Sequence, residues 1–188
     1  NPKGVKATIS SAKNEMLSSQ QYQEKARGSY QQFVAQVYHK YQSALFTNNA
    51  VDFDDLLLKV IDLFIRHPEV LARYQQRFRH VLIDEYQDTN KVQYTLSKML
   101  ALPQTNLYVV GDFSQSIYAW RGADYRNMLN LRLDFPDIQE YRLEQNYRST
   151  QTILNAATSV ISQNTLHPIL ELWTENQEHL PITMYEAN

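Results

Sequence analysis

Apolar residues recur at helical spacing through the first part of the chain. Over residues 30–45 they fall three to four positions apart, which predicts an amphipathic helix whose aromatic stripe faces the core. A more polar helix is predicted over residues 10–26, and Gly28 separates the two. Residues 1–49 are therefore expected to be helical.

A further helix is predicted to begin at Asp52. Its carboxylate can accept the backbone N–H of Asp55, and early acids suit the positive end of a helix dipole. We interpret Asp54 and Asp55 as structural residues of this helix start. The apolar positions predict a buried face of Phe53, Leu56, Leu57, Val60, Ile61 and Phe64. Pro68 suits the first turn of a short helix that runs to about residue 78.

Beyond residue 79, short apolar runs alternate with helical patterns. This alternation predicts an α/β fold with a parallel sheet. The predicted strands are residues 80–83, 106–112 and 138–143, with a further candidate at 182–185. The predicted helices are residues 90–101, 124–133 and 150–163.

Two adjacent carboxylates, Asp84 and Glu85, follow the first of these strands. The carboxyl ends of parallel strands form the edge at which open α/β sheets bind ligands. One carboxylate there could hold a metal ion and the other could orient a water molecule, as nucleotide hydrolysis requires. The alternative is that both acids belong to the N-terminal cap region of the following helix.

Composition narrows the classes of function. The chain has 188 residues, 43% hydrophobic and 20% charged, as expected for a globular protein of one or two domains. We expect no membrane span and no secretory signal. The lack of cysteine excludes disulfides and zinc–thiolate sites and is compatible with the cytoplasmic location that we predict. Because the net charge is −2, any contact with nucleic acid must be local.

Three polar segments that follow the predicted strands resemble the motifs of a known family. They are Asp84-Glu-Tyr-Gln-Asp-Thr-Asn90, Val110-Gly-Asp-Phe-Ser-Gln-Ser-Ile-Tyr-Ala-Trp-Arg-Gly-Ala123 and Leu143-Glu-Gln-Asn-Tyr-Arg-Ser149. In this order they resemble motifs II, III and IV of the UvrD/Rep/PcrA DNA helicases of superfamily 1. Residues 11–14, 52–57 and 171–174 are also similar to that family's pattern, so the resemblance covers nearly the whole chain.

The resemblance implies a site for ATP. Asp84 would hold the Mg²⁺ that bridges the phosphates, and Glu85 would activate the attacking water. Gln115 would sense the γ-phosphate, and Arg148 would reach the same phosphate as charge develops, a role that suits a planar and always charged donor. Tyr147 would stack on the adenine.

The resemblance also implies contacts with single-stranded and partly duplex DNA. Tyr118 and Trp120 would stack on bases, with Arg121 beside them on the DNA or in the network that couples DNA to the nucleotide. Stacking on aromatic rings is tolerant of sequence, which suits a translocating motor.

Structural alternatives stay open for several of these residues. Trp120 and Tyr118 could be core aromatics, because aromatic side chains are often buried. Arg148 could form a structural ion pair with Glu144 or Asp88. Asp112, which follows a glycine, could cap a turn.

The fold that the resemblance implies is a partial RecA-like parallel sheet of the P-loop NTPase type, with an N-terminal all-helical insertion subdomain. Residues 1–50 would be part of the insertion, residues 51–165 the second half of the first RecA-like domain, and residues 166–188 a linker and the start of the second. The chain contains no Gly-x-x-x-x-Gly-Lys-Ser/Thr loop. We therefore expect an internal fragment that does not hydrolyse ATP on its own.

The expected function of the parent protein is that of an ATP-dependent DNA helicase or translocase in repair or replication, with repair proteins as further partners. One alternative is a truncated homologue that binds single-stranded DNA or a repair protein and does no chemistry. Another is a subunit of a helicase–nuclease, which would need a nuclease domain beyond residue 188.

Overall fold

The computed structural model of the protein describes residues 1–165, 168–176 and 180–186. Contacts divide the chain into two compact units. The first comprises Asn1–Asp112 and Ser116–Pro136, and the second comprises Phe113–Gln115 and Asp137–Asn188. The domain boundaries predicted after residues 50 and 165 stay predictions.

The first unit opens with helices, as predicted for residues 1–49. They are α1 (Pro2–Asn14), α2 (Ser19–Lys25) and α3 (Ser29–Thr47). The single polar helix predicted over residues 10–26 is wrong, because the chain turns at Met16, which has a φ of 60°. Ser18 then caps α2 in a reciprocal capping box with Gln21.

A small apolar core holds α1 against α3. Its buried members are Val5, Ile9, Ala12, Val34 and Tyr38. The predicted aromatic stripe of α3 is therefore only partly a core face, since the rings of Tyr30 and Phe33 lie exposed at its N-terminal end.

Helix α4 (Phe53–Arg66) is capped by Asp52, whose carboxylate accepts the backbone N–H of Asp55, so the predicted cap is confirmed. Ile61 and Phe64 are buried as predicted. The prediction is wrong for Phe53 and Leu56, which are exposed. Helix α5 (Pro68–Arg77) follows with proline in its first turn and packs against α4.

A buried lysine joins α1 to the start of α4. Nζ of Lys13 lies 2.7 Å from Asp52 Oδ2 and 2.8 Å from Asp55 Oδ1. The hydroxyl of Tyr41 also donates to Asp52, and burial together with this hydrogen bond raises the pKa of Tyr41 to about 12. Burial alone would raise the pKa of Asp52, but the hydrogen bonds from Lys13, the Asp55 N–H and Tyr41 outweigh it and lower that pKa.

The rest of the first unit contains a strand–helix–strand segment. Strand β1 (Val81–Ile83), α6 (Lys91–Ala101) and β2 (Leu107–Val109) follow one another, and α7 (Arg126–Asp134) comes after them. The two strands pair in parallel, with Val81 opposite Leu107, which confirms the predicted parallel pairing. The described chain is nevertheless mostly helical, and its sheet has these two short strands.

In the second unit, α8 (Gln151–Ile161) is the helix predicted over residues 150–163. The strand predicted over residues 138–143 is wrong, as is the candidate strand at 182–185. Apolar alternation alone does not make a strand, because its backbone needs a neighbouring strand to pair with. Tyr141 and Leu143 are exposed, and parallel pairing occurs further on, between Gln145 and Trp173.

Among the described residues, no helix combines the length and the apolar character needed to cross a bilayer.

Candidate functional site

The carboxylates of Asp84 and Glu85 stand at the carboxyl end of β1, as predicted, and both residues are exposed. Oδ1 of Asp84 accepts the backbone N–H of Glu85 at 2.9 Å. The backbone N–H of Tyr86 then donates to the carbonyl of Val110, the residue that follows β2. The two acids are thus held on a short segment fastened to the neighbouring strand.

Glu85 has a left-handed backbone conformation, with φ of 50° and ψ of 42°. This region is uncommon for a residue with a Cβ atom, and such strained conformations cluster at functional sites. A short 3₁₀ turn over Tyr86–Asp88 follows directly. The cap of α6 is Asn90, in a capping box with Gln93, so the interpretation of Asp84 and Glu85 as its cap is wrong.

The side-chain amide of Gln87 links this turn to the segment that follows β2. Gln87 is 1% exposed. Its Nε2 donates to Oε2 of Glu85 at 2.8 Å, and its Oε1 accepts the backbone N–H of Asp112 at 3.1 Å. Sequence reasoning assigned no role to Gln87, although it lies inside the motif around Asp84.

Further hydrogen bonds join the turn after β1 to the start of α7. The carbonyl of Thr89 accepts the backbone N–H of Asp124 at 3.0 Å and Nδ2 of Asn127 at 2.8 Å. Asn127 is buried, and Arg126 beside it donates to Asp124, which lowers the pKa of that carboxyl. Because the contacts of Thr89 with Asp124 and Asn127 join residues far apart in sequence, no local pattern could have predicted them.

Tyr118, Trp120 and Arg121 form an exposed aromatic cluster. The ring centroids of Tyr118 and Trp120 are 6.4 Å apart, and the guanidinium carbon of Arg121 lies 4.5 Å from the Trp120 centroid. Trp120 is 73% exposed and Tyr118 is 39% exposed, so the interpretation of these rings as core residues is wrong. An exposed ring beside a cation is a surface on which a nucleic-acid base can stack.

The other predicted site residues, Gln115, Tyr147 and Arg148, belong to the second unit. Gln115 ends a 3₁₀ turn, and the exposed Tyr147 donates its hydroxyl proton to Oε1 of Gln145. The backbone N–H groups of Arg148 and Ser149 both donate to Oδ1 of Asn146, at 2.9 and 2.7 Å. Within this unit's described residues Arg148 forms no ion pair, so the structural pairing with Glu144 is not present.

Comparisons with known proteins agree with the resemblance. The sequence model of the UvrD/REP helicase N-terminal domain matches residues 1–136. The chain is 50% identical over 186 residues to the ATP-dependent DNA helicase PcrA of Leuconostoc citreum, a match that covers 99% of the chain and 25% of that protein. It is 49% identical over 187 residues to PcrA of Bacillus subtilis strain 168, covering 100% of the chain and 25% of that protein.

The PcrA helicase of Staphylococcus aureus strain Mu50 is 50% identical over 186 residues, which is 99% of the chain and 26% of that protein. The chain therefore spans about a quarter of the length of the curated relatives that it matches.

Proposed function

Since this chain belongs to the UvrD/REP helicase family, we propose that the gene product that carries it is an ATP-dependent DNA helicase or translocase. The observation that carries the proposal is a juxtaposition within the first unit. The carboxylates that follow β1 and the exposed aromatic cluster lie on neighbouring segments that hydrogen bonds fasten together. A motor needs such a connection between the groups that act on ATP and those that contact DNA.

Asp84 is the residue that we propose for Mg²⁺. This ion is usually held by one or two carboxylates together with phosphate oxygens and water. Asp84 fits this arrangement, because its carboxylate is exposed and, within the described residues, its Oδ2 accepts no hydrogen bond. No group of three or more His, Cys, Asp or Glu side chains in the described ranges could hold a metal ion. The nucleotide phosphates would therefore supply further ligands.

A second observation at the same turn supports a hydrated ligand there. Oδ1 of Asp88 is buried and has no hydrogen-bond partner within the part of the chain that the structure describes. Buried carboxylate oxygens are normally satisfied by a protein group, by water or by an ion. Mg²⁺, when bound, would neutralise charge on the phosphates.

Glu85 is the residue that we propose to accept a proton from the attacking water. Its carboxylate is exposed, so water can reach it, and the amide of Gln87 donates to one of its oxygens. Its other carboxylate oxygen is the proposed acceptor of the proton. Contacts of Gln115 and Arg148 with the γ-phosphate, and of Tyr147 with the adenine, are proposed from the family resemblance.

The aromatic cluster is proposed to bind single-stranded DNA. Trp120 offers its ring to solvent while Arg121 supplies a positive charge at the same place. Because the net charge of the chain is −2, attraction to DNA phosphates has to come from individual cations at the binding surface, such as Arg121.

The test is ATP hydrolysis and strand separation by the full gene product, with and without single-stranded DNA. We expect hydrolysis to be low without DNA and to rise when DNA is added. An ATP hydrolysis rate that is the same with and without single-stranded DNA would contradict the proposal.

A second candidate function is a binding module for single-stranded DNA that does no chemistry, and the exposed aromatic cluster favours it. Binding of single-stranded DNA by a full gene product that hydrolyses no ATP would support this candidate. The 188-residue polypeptide alone is expected not to hydrolyse ATP, because it has no phosphate-binding Gly-x-x-x-x-Gly-Lys-Ser/Thr loop.

A further inference from the structure

We propose that Gln87 is a positioning residue that holds the carboxylate of Glu85 in the orientation needed to activate water. This inference rests on the proposed function, because it requires Glu85 to be the proton acceptor. Gln87 itself would not touch the nucleotide. Its role would be to restrict an exposed side chain that otherwise turns freely.

The hydrogen bonds of Gln87 fix the direction of its amide. Oε1 accepts the backbone N–H of Asp112 at 3.1 Å, and this donor cannot serve the NH₂ end of the amide. The Nε2 end is therefore turned to the acids, where it donates to Oε2 of Glu85 at 2.8 Å and, at 3.5 Å, to Asp88. Gln87 is 1% exposed, so its own end of each bond is shielded from bulk water.

Gly111 makes room for this arrangement. A Cβ atom at Gly111 would lie 2.8 Å from Oε1 of Gln87 and 3.2 Å from the sulfur of Met128. Any side chain at that position would push the amide of Gln87 away from the Asp112 N–H. The hydrogen bonds of Gln87 after β1 therefore depend on the glycine at position 111 after β2.

The backbone of Glu85 is held in a left-handed conformation, but this does not fix the rotamer of its side chain. With φ of 50° its backbone is fixed in an uncommon conformation, while its side chain projects into solvent. An exposed glutamate samples several rotamers, and ordering it costs conformational entropy. A hydrogen bond from a buried, oriented amide selects one of these rotamers before the substrate arrives. Displacement of a reacting group by about 1 Å can lower a rate by roughly 100-fold.

Two variants of the full gene product test the proposal. Gln87→Met is similar in size and makes neither hydrogen bond. Gln87→Asn keeps an uncharged amide but is one methylene too short to reach the Asp112 N–H and Glu85 together. The control is Ser97→Ala, which removes a buried hydrogen bond to Tyr86 and leaves the contact of Glu85 intact.

We expect both Gln87 variants to lower kcat for DNA-stimulated ATP hydrolysis by roughly 10- to 100-fold, with the KM for ATP and the affinity for nucleotide unchanged. Ser97→Ala should keep kcat. In the Glu85→Gln background, Gln87→Met should cause no further loss, because the two residues act as a unit. A merely structural role would instead lower nucleotide binding, or would lower kcat in both backgrounds.

Normal kcat in a folded Gln87 variant would overturn the proposal, and so would a fall of equal size in both backgrounds. If Gln87→Met does not fold, Gln87→Asn alone decides, since it keeps the amide group and adds no charge. Full turnover in Glu85→Gln would contradict the proposed function itself. An inactive Glu85→Gln beside a fully active Gln87→Met would refute the role of Gln87 alone.

Discussion

Nζ of Lys13 lies 2.8 Å from Oδ1 of Asp55, and the two side chains are 1% and 4% exposed. Lys13 also contacts Asp52 at 2.7 Å, so one lysine from α1 pairs with two carboxylates at the start of α4. Removal of one member of a buried ion pair leaves its partner charged and desolvated. This cluster therefore ties the N-terminal helix to the rest of the first unit.

We predict that Lys13→Met lowers the free energy of unfolding by about 3–5 kcal/mol. The matched control is Arg66→Met, which breaks an exposed pair with Asp62 one helical turn away. That change should cost no more than about 0.5 kcal/mol. Urea denaturation of the wild type and the two variants measures both effects. An equal loss of unfolding free energy in the two variants would show that the buried cluster stabilises the fold no more than the exposed pair does.

A second prediction concerns the acid stability supplied by Asp134. Burial raises the pKa of this carboxyl, but hydrogen bonds from Lys98 and Tyr94 outweigh it and hold the pKa below its ordinary value of 3.8. The folded state therefore binds the proton less tightly than the unfolded state does. The stabilisation is fully present above pH 3.8 and is lost as pH falls through the lowered folded value.

Asp134→Asn should accordingly be less stable than the wild type above pH 3.8, and the difference should shrink at lower pH. Thermal unfolding of both proteins on each side of that pH gives the comparison. A difference that stays constant with pH would contradict the assignment.

A third prediction concerns the aromatic cluster. Trp120→Ala should weaken binding of single-stranded DNA by about 1–3 kcal/mol, or roughly five- to 150-fold, because one stacking surface is lost. Phe46→Ala is the control, since Phe46 is also an exposed aromatic residue but lies at the end of α3. Fluorescence anisotropy with labelled oligonucleotides measures both variants. Equal affinities for Trp120→Ala and wild type would exclude the stacking role.

The salt dependence of the same binding provides an independent check. Logarithmic plots of affinity against salt should fall with a slope of roughly −0.7 for each phosphate contacted on a single strand. Trp120→Ala should leave this slope unchanged. Arg121→Gln should make the slope less steep if the guanidinium contacts a phosphate. A slope near zero would argue against DNA as the ligand.

Local rules explain what could be predicted from sequence. The cap at Asp52, the helix start at Asn90 and the parallel pairing of the two strands depend on neighbouring residues or on short apolar runs, and the structure contains all three. The exposure of Asp84 and Glu85 at the end of β1 follows from the same rules. Family resemblance added candidate roles to these positions.

Contacts between distant residues explain what could not be predicted. Phe53 and Leu56 have the spacing of a buried helix face, yet both side chains are exposed in the part of the chain that the structure describes. Gln87 meets the backbone N–H of Asp112, 25 residues further along the chain, and no periodic pattern records that contact. The strand expected over residues 138–143 is absent for the same reason, because a strand forms only where a neighbouring segment pairs with its backbone.

The most direct test of the central claim compares ATP hydrolysis by the full gene product and by its Glu85→Gln variant in the presence of single-stranded DNA. Glutamine keeps the size of the side chain but cannot accept a proton from water. We predict a fall in kcat of about 100- to 10,000-fold, with ATP binding retained. A variant that binds ATP and turns it over at the wild-type rate would contradict the role assigned to Glu85.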